Sequence, residues 1–535
     1  MGSLERRARI GATAIGRWIV DHSRLTALAA GPLAALGFAP YDLWPFALAA
    51  LAAFVAVSAH APSAKSAAWC GWLFGLGHFT LGNSWIAVAF GYQANMPAWL
   101  GTIAVVLLAV YLAVFPALAA LAGWWLAGRA RAGWAMLPAL AGAWIVAEWL
   151  RSWAFSGYAW NPLGMIALGP FERPGLAALA QYTGTYALSG VVLALGGCWW
   201  LAARSRDRRG LAISLVLVPV LAMLLPRPIG EAKEGTVRYT LVQPDIRQEV
   251  LNEREYFEEN FAKTAALTLP RDNEPRLVLW PESGIQDFLR EGYPFRYYLR
   301  FNYLADPLAS KRRIARTIGE SAMLLSGTQD LEFEDGALAG ARNSVTAIDG
   351  SGQIRASYNK AHLVPYGEYL PMRDVLEPLG LSRLVPGAVD FFPGPGPRTL
   401  ELGAYGRAGV QVCYEIVFSG QVVDGSDRPD YIFNPSNDGW FGPSGPPQHL
   451  AQARMRAIEE GLPVLRSTTT GISAVVDARG VVREYIPRHT AERRDGFIPP
   501  AHAPTPFARL GNWLALAWAL LFCIIALVAS RRARG

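Results

Sequence analysis

The chain has 535 residues, of which 52% are hydrophobic and only 17% are charged. Because about 25% of the residues are charged in an ordinary soluble domain, this composition excludes a purely soluble protein. Residues 231–500 carry a net charge of about −6 and the rest of the chain about +13, which together make the formal +7. Since the basic surplus belongs to the apolar part and no nucleic-acid-binding motif accompanies it, we expect no nucleic-acid partner.

Eight stretches are long and apolar enough, or nearly so, to cross a bilayer core about 30 Å thick. They cover residues 23–39, 43–60, 67–90, 98–127, 133–152, 176–203, 209–227 and 508–530. The sequence therefore predicts an α-helical membrane domain with about eight transmembrane helices. Residues 1–230 hold the first seven helices, and residues 504–535 hold the eighth and a basic cytoplasmic tail.

The basic residues of the apolar part predict its orientation, because Lys and Arg concentrate in cytoplasmic loops. They precede the first stretch, lie in alternate loops and follow the last stretch: Arg6, Arg7, Arg9, Arg17, Lys65, Arg129, Arg131, Arg204, Arg206, Arg208, Arg209, Arg531, Arg532 and Arg534. All fall on one side if both termini are cytoplasmic. Seven crossings then place residues 231–503 outside, which in a bacterium is the periplasm.

Residues 231–503 form a domain in which short β-rich runs alternate with helical patterns. The β-rich runs are 237–242, 276–280, 322–327, 344–348, 409–413, 431–434, 471–477 and 481–486, and the helical patterns are 251–268, 311–320 and 447–461. Another strand precedes Lys360. This order predicts an α/β fold.

Three chemically useful side chains stand at predicted strand ends in this domain. Cys413 is its only cysteine, Glu282 follows the apolar run 277–281, and Lys360 is one of only five lysines in the chain. Each residue alone has an ordinary alternative, a small buried hydrophobe for the cysteine and a solvated charge for the other two. Together they offer a nucleophile, a base and an electrostatic stabiliser.

The motifs around these residues resemble the nitrilase superfamily and, within it, the membrane-embedded apolipoprotein N-acyltransferases. The matching segments are Trp280-Pro281-Glu282-Ser283, Tyr358-Asn359-Lys360, Val412-Cys413-Tyr414-Glu415 and Asn437-Asp438-Gly439-Trp440-Phe441-Gly442. The resemblance spans almost the whole chain, including the apolar stretches. It implies a Glu-Lys-Cys triad on an αββα sandwich.

The resemblance also implies roles for individual residues. Glu282 is the general base, Cys413 the nucleophile, and Lys360 the stabiliser of the tetrahedral oxyanion, with the backbone amide after Cys413 as a second donor. Supporting or substrate-binding positions fall on Glu368, Tyr414, Glu415 and Trp440. The alternatives are a turn carboxylate for Glu368, a core aromatic for Tyr414 and a structural ion-pair partner for Glu415. Asn252 stands where the best-known members carry a lid Trp.

The implied reaction is a two-step acyl exchange in a bacterial inner membrane. Cys413 takes an acyl chain from a phospholipid and passes it from a thioester to the N-terminal amine of a diacylglyceryl-cysteine lipoprotein. No cofactor is implied. We also expect no metal, because His362, His449, His489 and His502 have no Cys or His at zinc-ligand spacing.

Two segments could meet the bilayer. Residues 288–304 interleave Tyr and Phe with Arg, which is typical of an interfacial segment, and residues 386–397 form an apolar Pro- and Gly-rich loop. Packing against the protein is the alternative for both. Two other functions remain open, a membrane-tethered amidase or nitrilase, and a transporter or scaffold with an external binding domain.

Overall fold

The computed structural model describes residues 14, 16–92, 97–204, 219, 223, 234–376, 378 and 390–532. They belong to two compact units. The first comprises Met1–Ala87, Ala98–Arg227 and Leu510–Gly535, and the second Val88–Pro97 and Pro228–Arg509. The predicted span 209–227 lies outside the described residues apart from two isolated positions. Arg6, Arg7, Arg9, Arg206, Arg208, Arg209, Arg534 and residues 386–389 of the apolar loop also lie outside them.

The first unit is helical. Among the residues that the structure describes, it contains the α-helices Ser23–Ala35, Trp44–His60, Ala64–Gly82, Trp99–Leu112, Val114–Ala127, Met136–Arg151, Ala180–Arg204 and Asn512–Arg532. Among the described residues, the helical stretches Trp99–Ala130, Leu176–Arg204 and Asn512–Arg532 are long and apolar enough to cross a membrane. A pair bent by 47°, Ala64–Gly82 and Ser84–Tyr92, would make a fourth. The arrangement of eight spans therefore stays a prediction.

Small residues let these helices approach closely. At Gly31, a β-carbon would lie 2.2 Å from the carbonyl oxygen of Phe74, and at Gly77 one would lie 2.6 Å from that of Leu28. Helices Ser23–Ala35 and Ala64–Gly82 thus contact each other backbone to backbone, which any larger side chain would prevent.

The second unit contains two six-stranded sheets. The first has the order β12-β1-β2-β3-β4-β5, with β1 Arg238–Gln243, β2 Arg276–Leu279, β3 Ala322–Glu334, β4 Ala337–Asp349, β5 Ile354–Asn359 and β12 Glu492–Phe497. The second has the order β11-β10-β9-β8-β7-β6, with β6 Thr399–Glu401, β7 Arg407–Val410, β8 Tyr431–Ser436, β9 Val464–Thr468, β10 Ser473–Val476 and β11 Val482–Ile486.

The two sheets share one apolar core, and helices cover their outer faces. Side chains such as Leu279 and Leu325 of the first sheet meet Val410, Phe433 and Leu465 of the second. Helix Pro307–Ile318 packs with the opposite face of the first sheet, and helix Gly445–Glu460 packs along β9 and β10. Further α-helices in the described part of 234–510 are Gln248–Leu251, Phe257–Thr268, Phe295–Phe301, Arg373–Leu376 and Pro506–Leu510. The αββα layering expected from the sequence is therefore present.

The eight β-rich runs coincide with strands, but their boundaries differ at important places. The run 409–413 does not continue as a strand to the cysteine, because β7 ends at Val410 and a 3₁₀ helix begins at Cys413. The short strand β6 was not predicted, and neither were β9 and β12. β9 carries the buried cation Arg466, and β12 has the polar sequence Glu-Arg-Arg-Asp-Gly-Phe, so these two strands show no apolar alternation.

Candidate active site

Three strand ends bring Glu282, Lys360 and Cys413 into one buried site. Glu282 follows β2, Lys360 follows β5, and Cys413 follows β7 on the other sheet. Their exposed fractions are only 6%, 1% and 7%. Lys360 Nζ lies 3.7 Å from Glu282 Oε1, and both charges act on the Cys413 thiol. The three residues that the sequence singled out therefore form one electrostatically coupled group.

Lys360 is held by a second carboxylate. Its Nζ donates a 2.9 Å hydrogen bond to Glu368 Oε1, and its backbone N–H donates to the carbonyl of Asn343. Burial alone would lower the pKa of Lys360, but the negative charges of Glu368 and Glu282 outweigh it and raise that pKa. The side chain therefore stays an ammonium ion in a site closed to water.

Asn343 on β4 joins the two carboxylates, a role that the sequence did not reveal. Its Nδ2 donates 2.8 Å hydrogen bonds both to Glu282 Oε1 and to Glu368 Oε1. The other oxygen of Glu282 accepts from the backbone N–H of Asn437 at 2.8 Å. Asn343 lies just before the predicted run 344–348, and only the structure shows that it belongs to β4.

Cys413 has an unusual backbone conformation and a protonated resting thiol. Its φ is +51°, in the left-handed region, which a side chain bearing a β-carbon adopts at an energetic cost. Burial, with the negative charge of Glu282 adding to it, raises the pKa of the thiol well above its ordinary value, although Lys360 opposes this change. The thiol therefore holds its proton at neutral pH, and a base would have to take that proton for the sulfur to act as a nucleophile.

Glu415 ties the loop of Cys413 to the end of β5. Its Oε1 accepts from Tyr358 Oη at 2.8 Å and from the backbone N–H of Ala361 at 2.7 Å, while Oε2 accepts from the backbone N–H of Val412 at 2.8 Å. Burial raises the pKa of Glu415 to about 7, although these hydrogen bonds oppose the shift. Glu415 therefore connects the strand of Lys360 to the loop of Cys413 through hydrogen bonds.

Tyr414 and Trp440 each make an aromatic contact, with different partners. The Tyr414 ring meets Phe418 edge-on at 5.1 Å, and Phe418 stacks on His362 at 4.2 Å. Trp440, which is half-buried, meets Tyr92 edge-on at 5.7 Å. Tyr92 belongs to the short segment Val88–Pro97 that joins this unit, and no sequence signal indicated this neighbour.

A buried charged cluster next to Cys413 was also not predicted as part of the site. Asp438 pairs with Arg466 at 2.7 Å, and His449 lies 3.0 Å from Asp438 and 3.0 Å from the carbonyl oxygen of Cys413. Burial alone would raise the pKa of Asp438, but Arg466 lowers it to about 2. Asp438 stands in the recognised segment 437–442, but His449 was considered only as a metal ligand.

Among the described residues, no cluster of three or more His, Cys, Asp or Glu side chains is arranged to hold a metal ion.

Asn252, the residue at the predicted lid position, is exposed and lies at the end of helix Gln248–Leu251.

The predicted interfacial segment, residues 288–304, packs several of its aromatic rings into the protein. Tyr298, with 6% exposure, packs with Phe288, Leu331 and Ala341, and Tyr297 and Phe301 contact the same cluster. For Tyr298 the alternative, packing against the protein, is therefore the observed one.

Two family models match the chain. The model described as apolipoprotein N-acyltransferase N-terminal domain matches residues 30–198, and the model described as carbon-nitrogen hydrolase matches residues 239–491. The second range includes Glu282, Lys360 and Cys413.

Curated proteins named apolipoprotein N-acyltransferase are similar along nearly the whole chain. One from Rhodopseudomonas palustris is 32% identical over 94% of this chain and 95% of its own length. One from Bradyrhizobium diazoefficiens is 33% identical over 99% of both chains. Among solved structures, Saccharomyces cerevisiae Nit3, a member of branch 10 of the nitrilase superfamily, covers 49% of this chain and 90% of its own at 18% identity and a TM-score of 0.35.

Proposed function

The chain belongs to the apolipoprotein N-acyltransferase family, and from this membership we propose that it transfers a fatty acyl chain from a phospholipid to the N-terminal amine of a diacylglyceryl-cysteine lipoprotein. The observation that carries the proposal is the buried group of Glu282, Lys360 and Cys413 at three strand ends. This group contains the nucleophile, the base and the cation that acyl transfer through a thioester requires.

In the first step, Cys413 takes the acyl chain. Glu282 accepts the thiol proton as the sulfur attacks the ester carbonyl of the phospholipid. Because a carboxylate is a weak base for a thiol whose pKa is raised, proton transfer accompanies the attack rather than preceding it. The carbon–oxygen ester bond then breaks, the lysophospholipid leaves with the proton from Glu282, and a thioester remains on Cys413.

In the second step, the lipoprotein amine attacks the thioester. Glu282 takes a proton from the attacking nitrogen, the carbon–sulfur bond breaks, and that proton returns to the sulfur. The products are an N-acylated lipoprotein and the free thiol. No step requires an oxidant, a reductant or a further co-substrate.

Both steps pass through a tetrahedral oxyanion. Lys360 Nζ and the backbone N–H of Tyr414 stabilise it, and because Glu368 keeps Lys360 charged and fixed, the cation is in place before the charge develops. Glu415 maintains the spacing between the β5 end and the Cys413 loop through its hydrogen bonds. Tyr414 and Trp440 contribute aromatic surface for the acyl chains.

The substrates explain the proposed location. A phospholipid and a lipid-anchored protein both reside in a membrane, so residues 1–230 and 504–535 hold the enzyme in the bacterial inner membrane by eight spans. With both termini cytoplasmic, the catalytic domain 231–503 is periplasmic. The described helical stretches that are long and apolar enough to cross a membrane support the membrane location.

The decisive experiment is intact mass measurement of the purified full chain incubated with phospholipid. We expect an acyl adduct on the peptide containing Cys413 that hydroxylamine removes, and transfer of that chain when a diacylglyceryl peptide is added. Cys413→Ala should show neither event. Glu282→Gln should bind lipid and form the adduct slowly.

Product identity separates this function from its rival. An N-acylated peptide supports acyl transfer, whereas free fatty acid, or ammonia from an amide substrate, would indicate a membrane-tethered hydrolase. Absence of any adduct on wild-type Cys413 would contradict the covalent mechanism.

A further inference from the structure

His449 holds the backbone that carries the nucleophile. It is fully buried on helix Gly445–Glu460, and its Nε2 lies 3.0 Å from the carbonyl oxygen of Cys413. Because a carbonyl oxygen only accepts hydrogen bonds, this nitrogen carries the hydrogen. A second side chain, that of Asn434, makes a longer contact of 3.5 Å with this oxygen through Nδ2.

Arg466 and Asp438 contact the other nitrogen of the His449 ring. Nδ1 lies 2.9 Å from Arg466 Nη2 and 3.0 Å from Asp438 Oδ1. Burial lowers the pKa of His449, and the charge of Arg466 lowers it further, although Asp438 opposes this shift. At Nδ1, Arg466 can donate and Asp438 can accept, so both the neutral ring with its hydrogen on Nε2 and the imidazolium donate from Nε2 to the Cys413 carbonyl.

The carbonyl of Cys413 and the N–H of Tyr414 belong to the same peptide group. Because this group is planar and trans, fixing the direction of the C=O fixes the opposite direction of the N–H. The left-handed φ of +51° at Cys413 would otherwise favour relaxation of this peptide.

We infer that His449 is a positioning residue, which aims the N–H of Tyr414 at the oxyanion by holding the other end of the peptide. The inference rests on the proposed function, because it concerns the donor that acts in both transfer steps. An oxyanion donor is effective only when it is oriented before the charge appears, and a misplacement of about 1 Å can reduce a rate by about 10²-fold.

Two substitutions separate this role from general support of the charged cluster. The amide nitrogen of Gln in His449→Gln reaches approximately as far as Nε2 and can still donate to Cys413. The shorter side chain in His449→Asn can meet Asp438 and Arg466 but does not reach that carbonyl. Positioning predicts that Gln is the better replacement, whereas a purely structural role predicts that Asn is at least as good.

The experiment measures acyl transfer from phospholipid to a diacylglyceryl peptide by the full chain in detergent, together with thermal midpoint and iodoacetamide alkylation of the Cys413 peptide. We expect His449→Asn to lower kcat at least about tenfold with little change in KM, and His449→Gln to retain most of kcat. Alkylation should change less than about threefold in both variants, because it forms no oxyanion. The control is Leu450→Ala, at a buried residue next to His449 on the same helix. It lowers stability but leaves the hydrogen bond from His449 to the Cys413 carbonyl in place.

Equal kcat values for the Asn variant and wild type would overturn the inference, as would a Gln variant no better than Asn. If the Asn variant does not fold, the Gln variant decides, because a tenfold loss of kcat at a wild-type thermal midpoint contradicts the role. A wild-type protein that forms no acyl adduct contradicts the proposed function instead, so the two failures are distinguishable.

Discussion

At the scale of single residues, the site depends on a cation that is buried and still charged. Lys360 has 1% exposure, and its ammonium lies 2.9 Å from Glu368 and 3.7 Å from Glu282. A compact ammonium fits between these carboxylates and a tetrahedral oxyanion. The planar guanidinium of Arg is wider and directs its donors differently.

We therefore predict that Lys360→Arg is nearly as damaging as Lys360→Ala. Both should lower the rate of acyl-enzyme formation by about 10² to 10³, the usual effect of removing one oxyanion stabiliser. The measurement is single-turnover formation of the adduct on Cys413. Lys311→Arg, at the ion pair with Glu291, is the matched control and should retain wild-type activity. If the Lys360→Arg enzyme retained most activity, the positive charge alone would suffice.

A second prediction concerns Asp438 and acid. Its pKa in the folded protein is about 2, below its ordinary value, so the unfolded chain takes up a proton first as the pH falls. Asp438 thus contributes about 2 kcal/mol to the free energy of unfolding above about pH 4, and this contribution is lost as the pH falls to about 2. Urea unfolding at several pH values should reveal this loss in wild type and not in Asp438→Asn. The variant Asp335→Asn, in the β3–β4 turn, should lose stability with falling pH as wild type does. If the free energy of unfolding fell equally with pH in all three proteins, the prediction would be refuted.

At the scale of elements, helix Phe295–Phe301 divides its rings between a core and the surface. Phe295 and Leu299 are 65% and 58% exposed, whereas Tyr298 is 6% exposed. Residues four positions apart lie on the same helix face. Arg296 and Arg300 accompany the exposed pair, so this face has the apolar and basic composition of an interfacial surface.

We predict that replacing Phe295 and Leu299 together with Ser weakens use of membrane-embedded lipid. Turnover with phospholipid vesicles should fall about fivefold or more, because apolar contact with the bilayer is lost. The thermal midpoint and turnover of detergent-dispersed lipid should stay near wild type. Tyr298→Ser, at the inner face, should instead lower the thermal midpoint. Unchanged vesicle turnover in the double variant would exclude a membrane contact here.

At the scale of the whole molecule, the proposed topology follows from the distribution of basic loops. We predict that reporter fusions after Arg208 and after Gly350 give opposite compartments, cytoplasmic for the first and periplasmic for the second. A fusion after Arg532 should match the one after Arg208, since both positions follow an even number of spans. Equal signals at Arg208 and Gly350 would contradict the arrangement of eight spans.

The sequence by itself determined the local features of this protein. Apolar length indicated helices, alternating runs indicated strands, and Glu282, Lys360 and Cys413 were recognisable because each stands at a predicted strand end in a motif that resembles the nitrilase superfamily. These signals are short-range, since hydrophobic periodicity depends only on neighbouring residues. β12 was missed for the same reason: it has a polar sequence and is a strand because it pairs with β1.

Only the tertiary structure decided which distant residues complete the site. The Glu282 carboxylate accepts from the backbone of Asn437, 155 positions away, and Asn343 bridges Glu282 and Glu368. His449 reaches the Cys413 carbonyl from a helix beside the second sheet. No periodicity encodes such contacts, because they arise from the pairing of strands and the packing of two sheets, which bring side chains together whatever their separation in the chain.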